Sequence, residues 1–315
     1  MPGAGWEGWF CIAIPRRGSP VRFTKTHLFR AASRLLHHPL AAVEGLRAPA
    51  ELVTFIARSD RTDELRAPIE KTAITSDRST FSLTVPGRLR FSGELPELSF
   101  AWRDPDRATA LEYRLSARER IDWTRSKALS GLLSYVGHHS ALSGTATLGA
   151  ERVALRGLGV AEHAWGALLP FDPARLVRGR WHWDVLSLER DESAGIDLPD
   201  GTGLAALSIP LPGLGPCGVR AGGGIPGSSE RFGALRLDYP AAPAGEPPRR
   251  WIGTLRGDSA DLVYEATATT EAARPFPGGA FLGFDFEARL RPKHGEPERR
   301  FSGSGFSEQG GQTLA

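Results

Sequence analysis

The chain is poor in cysteine, in long apolar runs and in any excess of charge of one sign. Cys11 and Cys217 are its only cysteines in 315 residues, and two such distant thiols support neither a disulfide framework nor a zinc site. They read as buried free thiols, which suits a reducing cytosol. No stretch approaches the roughly 18–20 apolar residues of a spanning helix. The N-terminus lacks a basic segment followed by a long apolar run. No signal peptide and no integral membrane segment are therefore expected. The expected location is cytoplasmic, and membrane-peripheral where a hydrophobic substrate draws the protein there. Lys and Arg (39) nearly balance Asp and Glu (36). No basic block is long enough to follow a phosphate backbone, which sets nucleic acid aside.

Several motifs are missing as well. The run Ala221–Gly224 is glycine-rich but lacks the spacing and the following helix of a dinucleotide fingerprint. No G-x-S-x-G elbow is present, which weakens a hydrolase reading. No spacing of His, Cys and carboxylates fits a metal template. Neither metal nor cofactor is expected. His37 and His38 precede Pro39 and read as a turn or a helix start. His138 and His139 would point apart on a strand and could not share one metal, and a loop is expected there.

What is present is alternation. Leu111, Tyr113, Leu115 and Ala117 alternate with charged or polar residues. So do Leu282, Phe284, Phe286, Ala288 and Leu290, then Leu235, Leu237 and Tyr239, and then Phe81, Leu83 and Val85. A period of two predicts half-buried antiparallel strands. Pro86-Gly87, Asp200-Gly201, Pro212-Gly213, Pro226-Gly227 and Pro277-Gly278-Gly279 supply turns. Helix is scarce, with candidates only at His38–Leu46 and Pro173–Val177. The fold class is all-β, of sandwich or barrel type. Two domains are expected, 1–170 and 180–315, joined by a short connector at Phe171–Gly179.

Two segments carry candidate chemistry. In Leu155–Gly166, reading LRGLGVAEHAWG, His163 and Trp165 share one strand face and Glu162 takes the other. A histidine titrates near neutrality and can protonate an alkene or relay a proton. An indole can stabilise a developing carbocation through its π face. The alternative makes Trp165 a barrel-floor core residue and Glu162 a strand-end anchor. In Trp181-His182-Trp183-Asp184, His182 and Asp184 share one face and the two tryptophans the other. One face would line a ligand cavity, or the strand would be buried on both sides. Tyr135 and Trp9 complete the candidate substrate-binding set with Trp165, His182 and Trp183. A barrel-closing aromatic strand is the alternative role for Trp9.

Three blocks resemble one family. The central block, SGTATL followed by LRGLGVAEHAWG, resembles the motif of the carotenoid 1,2-hydratase (hydroxyneurosporene synthase) and attachment-locus lipocalin-like proteins. The opening Glu7-Gly8-Trp9-Phe10 resembles the early aromatic strand of that superfamily and of tocopherol cyclases. The closing Gly303-Ser304-Gly305-Phe306-Ser307-Glu308 resembles its last strand. Ala164 stands where the hydratases commonly carry Asn. The resemblance implies two lipocalin-like barrels with a hydrophobic site. It also implies hydration, isomerisation or cyclisation, as in the pericyclase-type members.

The residues and the resemblance together lead to a cofactor-independent hydratase, cyclase or isomerase. Its substrate would be a hydrophobic polyene, isoprenoid or polyketide. His163, Glu162 and Asp184 are its candidate catalytic groups. The rival is a non-catalytic carrier of a lipid or pigment. Ionisable groups inside the cavity favour the enzyme, because burying them without partners is costly. A degenerate partner-binding module is the third reading.

Overall fold

The computed structural model describes residues 6–31, 50–69, 75–77, 82–122, 134–166, 181–211, 215–228, 230, 232–240, 246–273 and 279–310. The expected helices at His38–Leu46 and Pro173–Val177, and His37 and His38, lie outside them. The chain divides into two compact units. One is Met1–Ile56 with Asp63–Pro170, and the other is Ala57–Thr62 with Phe171–Ala315.

The first sheet contains β1 (Trp6–Pro15), β2 (Val21–Ala31), β3 (Ala50–Arg58), β4 (Thr62–Pro68), β5 (Thr75–Asp77), β6 (Ser82–Val85), β7 (Leu89–Glu94), β8 (Glu97–Asp104), β9 (Thr109–Asp122), β10 (Ser134–Leu148) and β11 (Glu151–Gly166). Its order is β4-β3-β2-β1-β11-β10-β9-β8-β7-β6-β5. The second contains β12 (Trp181–Asp191), β13 (Ile196–Asp197), β14 (Gly203–Leu211), β15 (Gly215–Gly223), β16 (Phe232–Asp238), β17 (Arg250–Gly257), β18 (Ala260–Ala268), β19 (Gly279–Pro292) and β20 (Arg299–Gly310). Its order is β15-β14-β12-β20-β19-β18-β17-β16, with β13 beside β12. Both sheets are antiparallel. In each, an early strand closes on the unit's last one: β1 pairs with β11, and β12 with β20. These are two lipocalin-like β units.

Local sequence explains the strands. In β8 burial alternates strictly, with Leu98, Phe100 and Trp102 inside and Glu97, Ser99, Ala101 and Arg103 outside. Of the alternating runs expected from the sequence, two lie in β9 and β19, one runs through β16 to Tyr239 just beyond it, and one lies in β6 apart from Phe81, which is outside the described residues. Turns fall at Pro86-Gly87, Asp200-Gly201 and Pro226-Gly227, whose glycines take φ of 73°, 86° and 74°. Left-handed backbone of this kind costs glycine least. Among the described residues the helical content is a single 3-10 turn, Pro105–Arg107.

Each sheet curls around its own core. Leu52, Ile56 and Leu65, near one end of the first sheet, share a cluster with Leu83 and Phe91 near the other. Strands so far apart in the order can share a core only if the sheet bends back on itself. In the second unit Leu186 and Leu188 of β12 share a cluster with Trp251, Leu255, Tyr264 and Phe284. That curl brings β12 within side-chain reach of β17 and β18 across the interior, although β20 and β19 separate them along the sheet.

One expectation is corrected. His138 and His139 lie within β10, not in a loop. They pair with Ala161 and Val160 of β11, and both are buried. A histidine at such a position is held by its neighbours rather than by solvent. Burial, and then Arg120, lower the pKa of His138, so it is neutral near neutral pH.

Candidate functional site

The second unit holds a buried polar cluster built on β12. Its burial is continuous from His182 to Leu188, so this strand presents both faces away from water. His182 and Asp184 share one face, as a period of two requires. His182 Nε2 donates to Asp184 Oδ1 at 2.7 Å. The other carboxylate oxygen accepts from Trp251 Nε1 of β17 at 2.9 Å and from the Tyr264 hydroxyl of β18 at 2.6 Å. Asp184 and Tyr264 are wholly buried, and His182 and Trp251 are nearly so. Ser307, opposite Asp184 on β20, places Oγ 3.3 Å from His182 Nε2. Gln309 in turn donates to Ser307 Oγ.

Electrostatics fix the protonation of Asp184 and Tyr264. Burial pushes Asp184 up. The charge of His182, with hydrogen bonds from His182, Tyr264 and Ser307, outweighs it and holds the carboxyl below its ordinary value. A carboxylate that accepts several hydrogen bonds in a dry site stays ionised. Burial, and then the charge and hydrogen bond of Asp184, push Tyr264 well above the usual phenol range. Tyr264 therefore remains a donor. Because Asp184 can only accept, Nε2 carries the proton of that contact, and Nδ1 is the nitrogen turned away from the carboxylate. Nδ1 faces the Tyr239 hydroxyl at 2.9 Å. Aromatic edges enclose the pair: Trp251 meets the His182 ring edge-on at 5.5 Å, and Phe284 meets Trp251 at 5.0 Å.

The sequence-expected groups of the first unit are arranged differently. Trp9 of β1 lies opposite His163 of β11, and the two rings stack at 5.1 Å with 4° between planes. Trp9 belongs to the first unit's core cluster. His163 is half-buried. Glu162 projects from the opposite face of β11, is buried, and lies opposite Phe10 and Gly137. Glu162 and His163 therefore do not form a proton-transfer pair within one face. Trp165 and Tyr135 sit in β11 and β10, opposite Glu7 and Ala164 respectively, and their side chains lie outside the described residues. Trp183 occupies the β12 face opposite the polar cluster and packs edge-on against Phe306 at 5.8 Å.

The structure thus brings together His182 and Asp184, and separately Trp9 and His163. Sequence reasoning missed Tyr239, Trp251, Tyr264, Ser307 and Gln309. Tyr239 reads as one more apolar position in the alternation that runs one residue past β16, and Tyr264 keeps the inward spacing of Leu262 and Ala266 as any core residue would. Only Ser307 carried a signal, as part of the closing block.

Cys11 provides an independent check on the first unit. Burial first, and then the charge of Glu162, push its thiol far above the ordinary range. A thiol so held is unreactive, because the thiolate is the nucleophile. Native protein treated with Ellman's reagent at mildly alkaline pH should leave Cys11 unmodified by peptide mapping, and unfolding should expose it. Modification of Cys11 in the native state would contradict this burial.

No protein-family model matches the chain, and no curated protein matches it. Solved structures do. A protein assigned as AttH from Nitrosomonas europaea is similar over 99% of this chain and 94% of its own, with a TM-score of 0.61 and 16% identity. CghA in complex with Sch210972 is similar over 98% and 89%, with a TM-score of 0.64 and 11% identity. Kievitone hydratase from Nectria haematococca is similar over 97% and 88%, with a TM-score of 0.58 and 12% identity. At such identities the likeness establishes a shared fold along nearly the whole chain.

Proposed function

We propose that the protein is an acid–base enzyme of the hydratase, cyclase or isomerase type. It would act on a hydrophobic small molecule of natural-product character, and the His182–Asp184 pair would be its proton-transfer centre. The observation that carries the reading is the cluster itself. A buried carboxylate with three hydrogen-bond donors orients a histidine whose second nitrogen faces a hydroxyl. A carrier of lipid or pigment gains nothing from such an arrangement, which costs desolvation and fixes one tautomer. Two similar folds add support: one is seen with the small molecule Sch210972, and one is a hydratase.

In this reading Asp184 remains ionised and holds His182 upright, with Nε2–H directed at Oδ1. The imidazole stores or releases a proton at Nδ1. Protonating one carbon of a double bond creates a cation that water, a second alkene carbon or loss of a neighbouring proton can quench. Those three fates are hydration, cyclisation and isomerisation. Positioned proton transfer contributes about 10²–10⁴-fold to rate, and holding a flexible substrate in a reactive conformer contributes further. The scheme needs no cofactor.

The test uses heavy water. Hydrophobic metabolites extracted from the protein's own cells are incubated with it in D₂O, and products are read by mass spectrometry for deuterium bound to carbon. All three fates leave that label. Wild type should produce a labelled product that Asp184→Asn and His182→Gln do not. His163→Ala, run in parallel, decides whether the second candidate histidine takes part. A metabolite recovered bound but unlabelled and unchanged would replace the enzyme by the carrier.

A further inference from the structure

Within the polar cluster, accessibility is distributed unequally. His182, Asp184, Trp251, Tyr264, Ser307 and Gln309 are all buried. Tyr239, immediately after β16, is half-buried and packs against the rim of the second unit's core. Its hydroxyl is 2.9 Å from His182 Nδ1, and its ring meets the imidazole at 5.8 Å, tilted by 50°. The order is linear: Tyr239 Oη to Nδ1, then Nε2 to Asp184 Oδ1, which is 2.7 Å away. A carboxylate orienting a histidine that addresses a hydroxyl is the general form of an activated side-chain oxygen. Here that oxygen belongs to a phenol, and its residue is the one half-buried member of the series.

We infer that Tyr239 is the residue that hands the proton to the substrate, with His182 as its proton reservoir and Asp184 as the fixed counter-charge. This rests on the acid–base reading above. The step balances without any added reactant. The Tyr239 O–H bond breaks as a C–H bond forms on the alkene carbon, and the imidazolium of His182 passes its Nδ1 proton to the phenolate oxygen. His182 is left neutral with its Nε2–H still donated to Asp184, and the substrate carries the positive charge. When water adds, or a neighbouring C–H is lost, the released proton returns through Tyr239 to Nδ1. The substrate class that fits is an alkene electron-rich enough for a phenol to protonate, such as a trisubstituted or conjugated double bond. Tyr264, although also a buried phenol beside Asp184, donates to the carboxylate at 2.6 Å and has no part in this delivery.

Tyr239→Phe tests it, since the ring is kept and only the hydroxyl is removed. Two readouts apply. In the D₂O assay carbon-bound label should fall at least about 100-fold, while the metabolite still binds. By nitrogen NMR of histidine-labelled protein, the His182 Nδ1 resonance should shift towards that of a nitrogen without its hydroxyl partner, and the Nε2 resonance should stay in place. Label retained within about threefold in Tyr239→Phe but abolished in His182→Gln would overturn the proposal and make His182 the direct donor. An unmoved Nδ1 resonance would overturn it also, because the hydroxyl contact would then be absent. Wild type that forms no labelled product defeats the acid–base reading itself, a distinct outcome seen before any variant is compared.

Discussion

Asp184→Ala should destabilise the second unit by about 3–5 kcal/mol, the summed cost of leaving three buried donors without their acceptor. The loss is large because the carboxylate serves three donors at once. Without it His182 Nε2, Trp251 Nε1 and the Tyr264 hydroxyl face one another in a dry interior. Each orphaned group adds a desolvation cost. For a unit of this size the melting temperature should fall by roughly 10 °C or more. Asp184→Asn is nearly isosteric, yet it should fare little better. Its amide nitrogen must face either the imidazole N–H or the tyrosine and indole donors, and donor meets donor on either side. Tyr264→Phe and Trp251→Phe remove one donor each and should cost less, about 1.5–3 kcal/mol. Calorimetry on the four variants checks the order. A fall of less than about 2 °C for Asp184→Ala would show that the cluster is not the closed network described.

The same carboxylate sets a pH dependence of definite sign. Its folded-state pKa lies below the ordinary one. The stabilisation is therefore complete above the unfolded value of about 4 and is lost as pH falls through the lower, folded value. Wild type should lose part of its stability on acidification in that range, and Asp184→Asn should lose correspondingly less.

The fold was legible because its signals are local. Alternation at Leu111–Arg118 and Leu282–Arg291, with Gly turns at 87, 201 and 227, needs no knowledge of distant residues. The pairing of His182 with Asp184 was legible for the same reason, since residues two apart on a strand share a face. The remainder of the cluster is not local. Trp251 and Tyr264 reach Asp184 only because the second sheet curls, and curl comes from the summed twist of many strands. In the sequence Tyr264 looks like any other inward residue of β18. In the segment Glu162–Trp165 the divergence of Glu162 and His163 across β11 follows from the same period of two, whereas the stacking of His163 on Trp9 does not. Adjacent residue types do not reveal which partner waits across the sheet. Where a polar group lies in an apolar alternation, as Tyr239 does after Leu235 and Leu237, the pattern conceals it.

Gly253→Val should separate Tyr264 from Asp184 and cost about 3–5 kcal/mol, from overpacking together with a lost hydrogen bond to a charged acceptor. Gly253 lies directly opposite Tyr264 in the pairing of β17 with β18. A Cβ built there would collide with the tyrosine ring and hydroxyl. The ring crosses the bare glycine backbone and so reaches the carboxylate of β12. Gly305 plays the same part for Phe284, its opposite on β19, whose ring in turn abuts Trp251. Two glycines thus give two aromatic rings the room that places Tyr264 and Trp251 on Asp184. Both rings are stiff, and Tyr264 is fastened at its far end, so neither can yield by a simple rotamer change. A double-mutant cycle identifies the cause. Gly253→Ala should be costly alone and nearly neutral in a Tyr264→Leu background, because the shorter side chain no longer crosses the glycine. Additive losses, measured by thermal unfolding, would mean that Gly253 serves the backbone of β17 rather than the ring. Gly253→Val should also abolish proton transfer to substrate if Tyr264 is needed to keep Asp184 ionised. Retained transfer in a folded Gly253→Val protein would confine Tyr264 to stability and leave His182 and Trp251 sufficient to hold Asp184 ionised.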